Sequence, residues 1–402
     1  MTQAADLLLT NARLADGRTG MAIAIQGGRI AALLPPGATM PAASATTNLG
    51  GDLVLPALAD GHMHLDKTLF GLPWWPHQAE PIRASRIATD QRVLPNLPLD
   101  TEARASALIR RCVAHGTGHI RTHADVTPAF GLDALHGVLR AKESHAHAVT
   151  VQTVAFPQAG VMRHGSTVVD LLDAAVREGA DLVGGIDPCE VDRDPRGQLD
   201  AIFAVADRRG VGIDIHLHEP GEMGLFSFQE ICARTKALGM QGKVTISHGF
   251  SLGGITESKQ AAAIALMAEN RVALVSHGAG GATQPPLFQL RAAGVTVFCG
   301  NDDVRDTWSP YGTGDMLERA AVIGWRVDVR HDNLLDDLFD MVSGAGATAM
   351  GVAGHGVAVG CAANVFTLPA ENIPEAIGQH PGRKLVLFNG RVVARDGAWA
   401  GN

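Results

Sequence analysis

The sequence predicts an α/β fold: a closed (β/α)8 barrel of the TIM type carrying a small β-sandwich built from both ends of the chain. Three observations predict it. Eight short β-rich runs recur from about residue 53 to residue 303, separated by amphipathic helical stretches, and eight regular β/α units point to a closed parallel barrel, because an open doubly wound sheet has no need of eight. Nearly every run ends in a polar, titratable or metal-capable residue, as strands do at the catalytic face of a barrel. Both ends of the chain carry short strands separated by Gly-containing turns.

In chain order, residues 1–52 hold "DLLLTNARL", "MAIAIQGG" and "RIAALLPPG", and the same texture returns in 359–402 as "ANVFTLPAEN", "KLVLFNG" and "RVVARDG". These two segments are expected to form the sandwich domain, and residues 53–358 the barrel domain. The first barrel strand reads from "LVLPALADGHMH". It is followed by "HIRTHAD" (119–125), "VTVQTVAFPQ" (149–158), "DLVGGID" (181–187), "VGIDIHLHE" (211–219), "KVTISHG" (243–249), "RVALVSHG" (271–278) and "GVTVFCGNDD" (294–303). Between them, "TEARASALIRRCVAHG", "STVVDLLDAAVREGA" and "QLDAIFAVADRRG" have helical texture, and most such stretches run into Gly, a usual helix stop.

Composition narrows the setting. The 402 residues are 46% hydrophobic with 47 glycines and one tyrosine, which suits a compact protein rich in small residues and turns. A net charge of −8 without a basic run leaves no electrostatic footprint for nucleic acid. No stretch reads as a transmembrane span, and "MTQAADLLLTNARL" lacks the cationic start and apolar core of a secretory signal. Five cysteines (112, 189, 232, 299, 361) without CxxC spacing fit free thiols in a reducing cytoplasm. Neither nucleic acid nor membrane is an expected partner; a homo-oligomer is.

Histidine use is the informative excess, 17 in all. In "DGHMHLDKTLF" (60–70), His62 and His64 stand two apart at the end of an apolar run, so in a strand both imidazoles face one side. An isolated His-x-His is ordinarily a hydrogen-bonded loop pair. "HAH" at 145–147, after the charged helical residues Lys142 and Glu143, reads as such a surface case. The strand ends decide otherwise for His62 and His64. They supply His123 and Asp125, Gln158, Asp187, His216 with His218 and Glu219, His248, His277, and Asp302 with Asp303. Imidazoles from several strands with a carboxylate from the eighth suit a borderline divalent ion, zinc or ferrous iron, and one such ion with an open position generates hydroxide at neutral pH.

The ordered segments "HMHLDK", "HIRTHADV", "VQTVAFPQAGV", "IDIHLHE", "VTISH", "GNDDVRDTWSPYGTGDML" and "ANVFTLPAENIPEAI" resemble the amidohydrolase superfamily along essentially the whole chain. Within it the bacterial cytosine deaminases are the closest likeness. The triazine-ring hydrolases that release alkylamines, of the N-isopropylammelide amidohydrolase kind, share most of the same motifs. The resemblance implies His62, His64, His216 and Asp302 as ligands of one metal ion. It implies Glu219 as the proton-shuttling carboxylate and His248 as the histidine that hydrogen-bonds the metal-bound water. Gln158 would read the amide face of the ring, Asp303 would stand beside the substrate, and Trp308 would wall the pocket.

The chemistry so implied is hydrolytic deamination of a cytosine-like N-heterocycle. Metal-bound hydroxide attacks the ring carbon bearing the amine, and a carboxylate protonates the ring nitrogen and the leaving amine. Release of an alkylamine from a triazine ring, or deamination of another cyclic amidine, is the alternative. Three departures keep it open. Asn301 stands where cytosine deaminases have histidine, His218 where they have aspartate, and "GGIDPCEVDRDPRG" is closer to the triazine enzymes. Glu219, by contrast, is the deaminase choice. A binuclear cyclic-amide hydrolase of the dihydroorotase kind would need a lysine in the fourth strand, and "DLVGGIDPCE" has none. A non-catalytic barrel would be expected to lack a ligand or the glutamate, and both are present. "LPWWPH" (72–77) is expected to add bulk near the mouth, and His123 and His277 either support the ligands or pack.

Overall fold

The computed structural model describes residues 4–80, 82–278 and 280–401. Eight strands, Leu58–Met63, Thr117–Asp125, Thr150–Phe156, Leu182–Ile186, Gly212–Leu217, Val244–His248, Ala273–Ser276 and Val297–Cys299, form one sheet in chain order. Every neighbouring pair is parallel. The first and eighth strands then meet through a parallel bridge between Met63 and Asp302, and the Asp302 N–H donates to the His62 carbonyl at 2.7 Å. The sheet is therefore a barrel, and the eight runs read from the sequence are its strands.

That seam depends on glycine for space, not for backbone freedom. A Cβ on Gly300 would lie 2.4 Å from His62 N and 2.5 Å from His62 O, and one on Gly61 would lie 2.2 Å from the Phe298 ring. Asp60 then stitches the seam with its carboxylate. It accepts from the Asn301 backbone N–H (3.0 Å), the Asn301 side-chain amide (2.6 Å) and the His62 N–H (3.3 Å). Arg319 holds the far side by donating to the carbonyls of Asn301 (3.0 Å) and His277 (2.8 Å).

The chain ends build a separate nine-stranded sheet. Strand Ala5–Leu14 is its centre. It pairs with Met21–Gln26 and Ala43–Asn48 at one end and with Leu53–Pro56 at the other. Leu53–Pro56 pairs in turn with Val365–Leu368, from which Leu385–Phe388, Arg391–Arg395 and Ala398–Trp399 extend. One apolar cluster, including Leu7, Ile23, Ile25, Val54, Val365 and Leu387, joins side chains from both termini. The expected sandwich is thus one continuous sheet whose halves share a strand. A bulge between Leu9 and Ala12, with Asn11 at φ 55°, lets Ala5–Leu14 serve both.

Two details differ from the sequence reading. "LVLPALADGHMH" is two strands, because Leu53–Pro56 belongs to the terminal sheet and the barrel begins at Leu58. The second concerns His145, which is buried: it closes the helix Asp133–Ser144 by bonding the Ala141 carbonyl and packs on Trp399, while His147 is exposed. Among the described residues no helix is long and apolar enough to cross a membrane.

Gly300→Ala is expected to force strands one and eight apart. It should destabilise the fold by roughly 1–3 kcal/mol, the usual range for overpacking, and lower the bound-metal content. Thermal melting and metal analysis of the purified variant check this; an unchanged melting temperature contradicts it.

Candidate active site

The strand ends bring His62, His64, His216 and Asp302 together. His62 Nε2 lies 3.4 Å and His64 Nε2 3.3 Å from Asp302 Oδ1, and His216 Nε2 lies 3.4 Å from His64 Nε2. Two atoms bound to one tetrahedral ion at about 2.0–2.1 Å stand about 3.3–3.4 Å apart, the spacing of these three pairs. The charges agree. Burial, reinforced by the Lys67 ammonium, holds His64 well below the usual histidine range, and burial with the neighbouring His123 and His62 rings does the same for His216. Burial would raise Asp302, but its contacts with His62 and His64 hold its carboxyl well below the usual range. Imidazole nitrogens and a carboxylate therefore converge at a spacing that a divalent ion could bridge. The cluster could hold a divalent ion.

Backbone strain helps to aim them. His248 (φ 73°), Asp302 (φ 61°) and Asp187 (φ 35°) adopt left-handed conformations unusual outside glycine, at or just after the ends of strands six, eight and four. The ligand-capable atoms of His62, His248 and Asp302 lie within 4.8 Å of one another, as do those of His64, Asp302 and Asp303, and those of His62, His64, His123 and His216. Neither nitrogen of His248 has a hydrogen-bond partner among the described residues, and burial and the His218 ring hold it well below its usual range. His277 Nε2 faces Asp302 Oδ2 at 3.7 Å, and burial lowers it to about 4. Asp303 is pushed well above the carboxylate range by burial and by the nearby Asp306 and Asp302 carboxyls.

Asp302, Asp303 and Trp308 line one cavity of about 530 Å³ with His277, Arg86 and Tyr311. Trp308 is fixed there, its indole N–H donating to Asp90 at 2.8 Å and Lys67 lying 5.3 Å from its ring. Gln158 lines a neighbouring cleft of about 460 Å³ with Arg83, Ile87 and Glu190. The helix Arg83–Val93 separates the two, giving Arg86 to one and Arg83 and Ile87 to the other. Gln158 is 2% exposed, and neither its amide oxygen nor its nitrogen bonds to another described residue. Leaving a buried carboxamide unpaired costs about 1–3 kcal/mol.

Glu219 is set differently from the histidines and Asp302. Its Oε1 accepts from the Cys189 (2.6 Å) and Glu190 (3.0 Å) backbone N–H groups, and its Oε2 from the Ser227 hydroxyl (2.5 Å). These bonds run to the turn Pro188–Asp192 and the helix Gly221–Ala237, not to the metal-capable set. His218 stacks on His248, with ring centroids 4.2 Å apart, and Asp187 holds both its backbone N–H (2.6 Å) and its Nδ1 (2.8 Å). Arg83 reaches Asp187 at 3.0 Å, tying the separating helix to this pair.

Sequence reasoning assigns nothing to Lys67 or to the helix Arg83–Val93. Lys67 is buried 3.4 Å from Asp125 and 3.9 Å from Asp90. Burial would discharge it, but those carboxylates hold its ammonium above the usual lysine range. A cation three residues after His64 is the available signal. The helix offers none, because only Asp90 and Val93 of it are buried.

The amidohydrolase family model matches residues 80–394, and the chain belongs to that family, an enzyme class hydrolysing C–N bonds. The match begins after His62 and His64, so the placement of those two rests on geometry. Among particular relatives, N-isopropylammelide isopropyl amidohydrolase of Pseudomonas sp. strain ADP is 29% identical over 98% of this chain and 99% of its own. The uncharacterized protein YahJ of Escherichia coli K12 is 36% identical over 74% of this chain, a stretch spanning 65% of that relative's length. Among solved structures, N-isopropylammelide isopropylaminohydrolase from Burkholderia multivorans superposes with a TM-score of 0.93 at 42% identity, covering 98% of this chain and 99% of that one. The 5-methylcytosine deaminase of Klebsiella pneumoniae superposes at 0.84 and 25% identity, covering 96% and 98%.

The purified protein is expected to carry about one divalent ion per chain, and His216→Ala to lose it, since one of four ligands is gone. Elemental analysis checks both; two ions per chain at full activity contradicts a single centre. Chelation should lower the melting temperature, because an ion that binds only the folded chain stabilises it.

Proposed function

We propose that this protein removes an exocyclic amine by hydrolysis from an N-heterocycle that presents a carbonyl beside a ring N–H, using one zinc or ferrous ion. The observation that carries the reading is the convergence of His62, His64, His216 and Asp302 at ligand-edge spacing, beside a cavity walled by Asp303 and Trp308. An ion held by those four supplies a water that is nucleophilic at neutral pH.

The chain's own groups do the rest. His248, with neither nitrogen bonded to another described residue, hydrogen-bonds the attacking water and orients it. Asp303 stands beside the ring, its carboxyl pushed above the usual carboxylate range by burial and the nearby Asp306 and Asp302 carboxyls. The Gln158 carboxamide offers an acceptor and a donor on one planar edge, the complement of an adjacent carbonyl and N–H, and it reaches the ring beside Asp303 and Trp308 when the helix Arg83–Val93 between the two cavities yields. Trp308 packs the ring face. Glu219 carries the proton to the ring nitrogen and the leaving amine, and to do so its carboxyl must exchange bonds with the Cys189 and Glu190 amides. His218, oriented by Asp187 and stacked on His248, is the competing carrier.

Two leaving groups fit this chemistry. The H-x-x-E arrangement of His216 and Glu219 supports ammonia release from a cytosine-like pyrimidine. The higher identity to the isopropylaminohydrolases supports release of an alkylamine from an oxo-triazine. The cysteines are all unpaired, which fits action in the reducing cytoplasm.

A panel of aminopyrimidines, isocytosine, creatinine-like lactams and alkylamino-oxo-triazines, scored for ammonia and alkylamine, separates the two; no release from any of them sinks the proposal. Glu219→Gln should keep metal and fold yet lose about 10²–10⁴-fold in kcat, the usual worth of a positioned acid–base group. A variant with half the parent kcat moves the proton-carrying role to His218. Gln158→Leu should lower the preference for an oxo-amino ring over its diamino counterpart, read as the ratio of kcat/KM values, while metal content stays the same. An unchanged ratio leaves Gln158 a packing residue.

A further inference from the structure

Next to His62 and His216, Arg121, Asp214 and Ser247 form one chain of hydrogen bonds inside the barrel. Asp214 and His216 face the same way on the fifth strand, and His216 pairs in register with Ser247 on the sixth. Asp214 is fully buried. Its Oδ2 accepts from Arg121 Nη1 at 2.9 Å, and its Oδ1 lies 2.6 Å from Ser247 Oγ. Ser247 Oγ in turn lies 2.9 Å from His62 Nδ1. Arg121 is held in place by Gln152 (2.8 Å), Thr245 (3.0 Å) and the Ala349 carbonyl (2.9 Å).

A hydroxyl has one proton to give. With the Arg121 guanidinium on its other oxygen, the Asp214 carboxylate can only accept from Ser247. A Ser247 proton turned toward His62 would leave two bare oxygen acceptors 2.6 Å apart. The Ser247 proton therefore points to Asp214, and its lone pair receives a proton from His62 Nδ1. The remaining His62 nitrogen, Nε2, is then the one with a lone pair, and it is the atom 3.4 Å from Asp302.

We propose that Arg121, Asp214 and Ser247 are positioning residues that lock His62 in the Nδ1-protonated tautomer and so present Nε2 to the metal. This rests on the single-metal reading above and goes beyond it, since the relay sets the affinity of the site without touching substrate or ion. Groups that orient a ligating histidine typically change metal affinity by about 10–100-fold when removed.

The test measures zinc affinity of metal-stripped, full-length protein by competition with a chromophoric chelator, alongside melting of the metal-free forms. Ser247→Ala should bind zinc about 10–100-fold more weakly than the parent with a metal-free melting temperature close to it. Ser247→Thr, which keeps the hydroxyl, should restore the parent affinity. Equal affinity in Ser247→Ala and the parent overturns the proposal, as does an equal loss in the Ala and Thr variants, which would assign the effect to packing. Should the Ala variant not fold, ¹⁵N spectra of the histidine-labelled, metal-free parent report the tautomer directly. The His62 signal, assigned by its disappearance in His62→Gln, should show protonation at Nδ1, and protonation at Nε2 overturns the proposal. A parent that takes up no divalent ion overturns the metal reading and this one together, whereas binding by the parent with no effect at Ser247 overturns this one alone.

Discussion

The meeting of the first and eighth strands is the constraint on which the rest of the molecule depends. His62 and His64 come from one side of that seam and Asp302 from the other, so residues distant in sequence become neighbours only when the barrel closes. Gly61 and Gly300 give the two backbones room to approach. Asp60 pulls Asn301 into register, and burial pushes its carboxyl up to about 6. Asn301 thus has a structural reason to be an amide: its side-chain nitrogen donates to Asp60 at 2.6 Å while its Oδ1 accepts from Arg319 Nε at 3.4 Å.

The same closure concentrates groups that would be unfavourable together without compensation. Buried rings held neutral face an ionised Asp302, and next to them Lys67 is enclosed by Asp90 and Asp125. Burying a charge is tolerated only where it is paired or bound to a cation. Lys67 has its carboxylates, and Arg121 has Asp214. Among the described residues no lysine or arginine forms an ion pair with Asp302, whose partners are His62, His64 and His277. An ion bound there would couple metal uptake to folding.

Much of this is legible in the sequence, and the limits have physical causes. The barrel strands show as apolar runs ending in polar residues because their bodies are buried and their ends form the site. His62 and His64 are readable from their spacing, since side chains two apart share a face. Pro56 and the break after it are not, because an apolar run does not say which sheet it joins. The helix Arg83–Val93 covers the mouth instead of packing into the core, so it has no apolar stripe to detect. The spacing of Glu219 from His216 marks its place on the chain but not its cradle of Cys189, Glu190 and Ser227, which depends on a turn from another strand. Ser247 looks like any strand serine until the fifth strand puts Asp214 beside it.

The shared terminal sheet has a consequence for the order of events during synthesis. Leu53–Pro56 leads directly into the strand that carries His62, yet one of its edges is completed only by Val365–Leu368. A nascent chain therefore exposes an apolar strand edge until that distant segment has also left the ribosome, and such an edge invites pairing with other chains. Contacts between segments so far apart also close slowly, because the loop between them must first be ordered. The strand leading to His62 and His64 thus waits for its buttress until the whole barrel has been made.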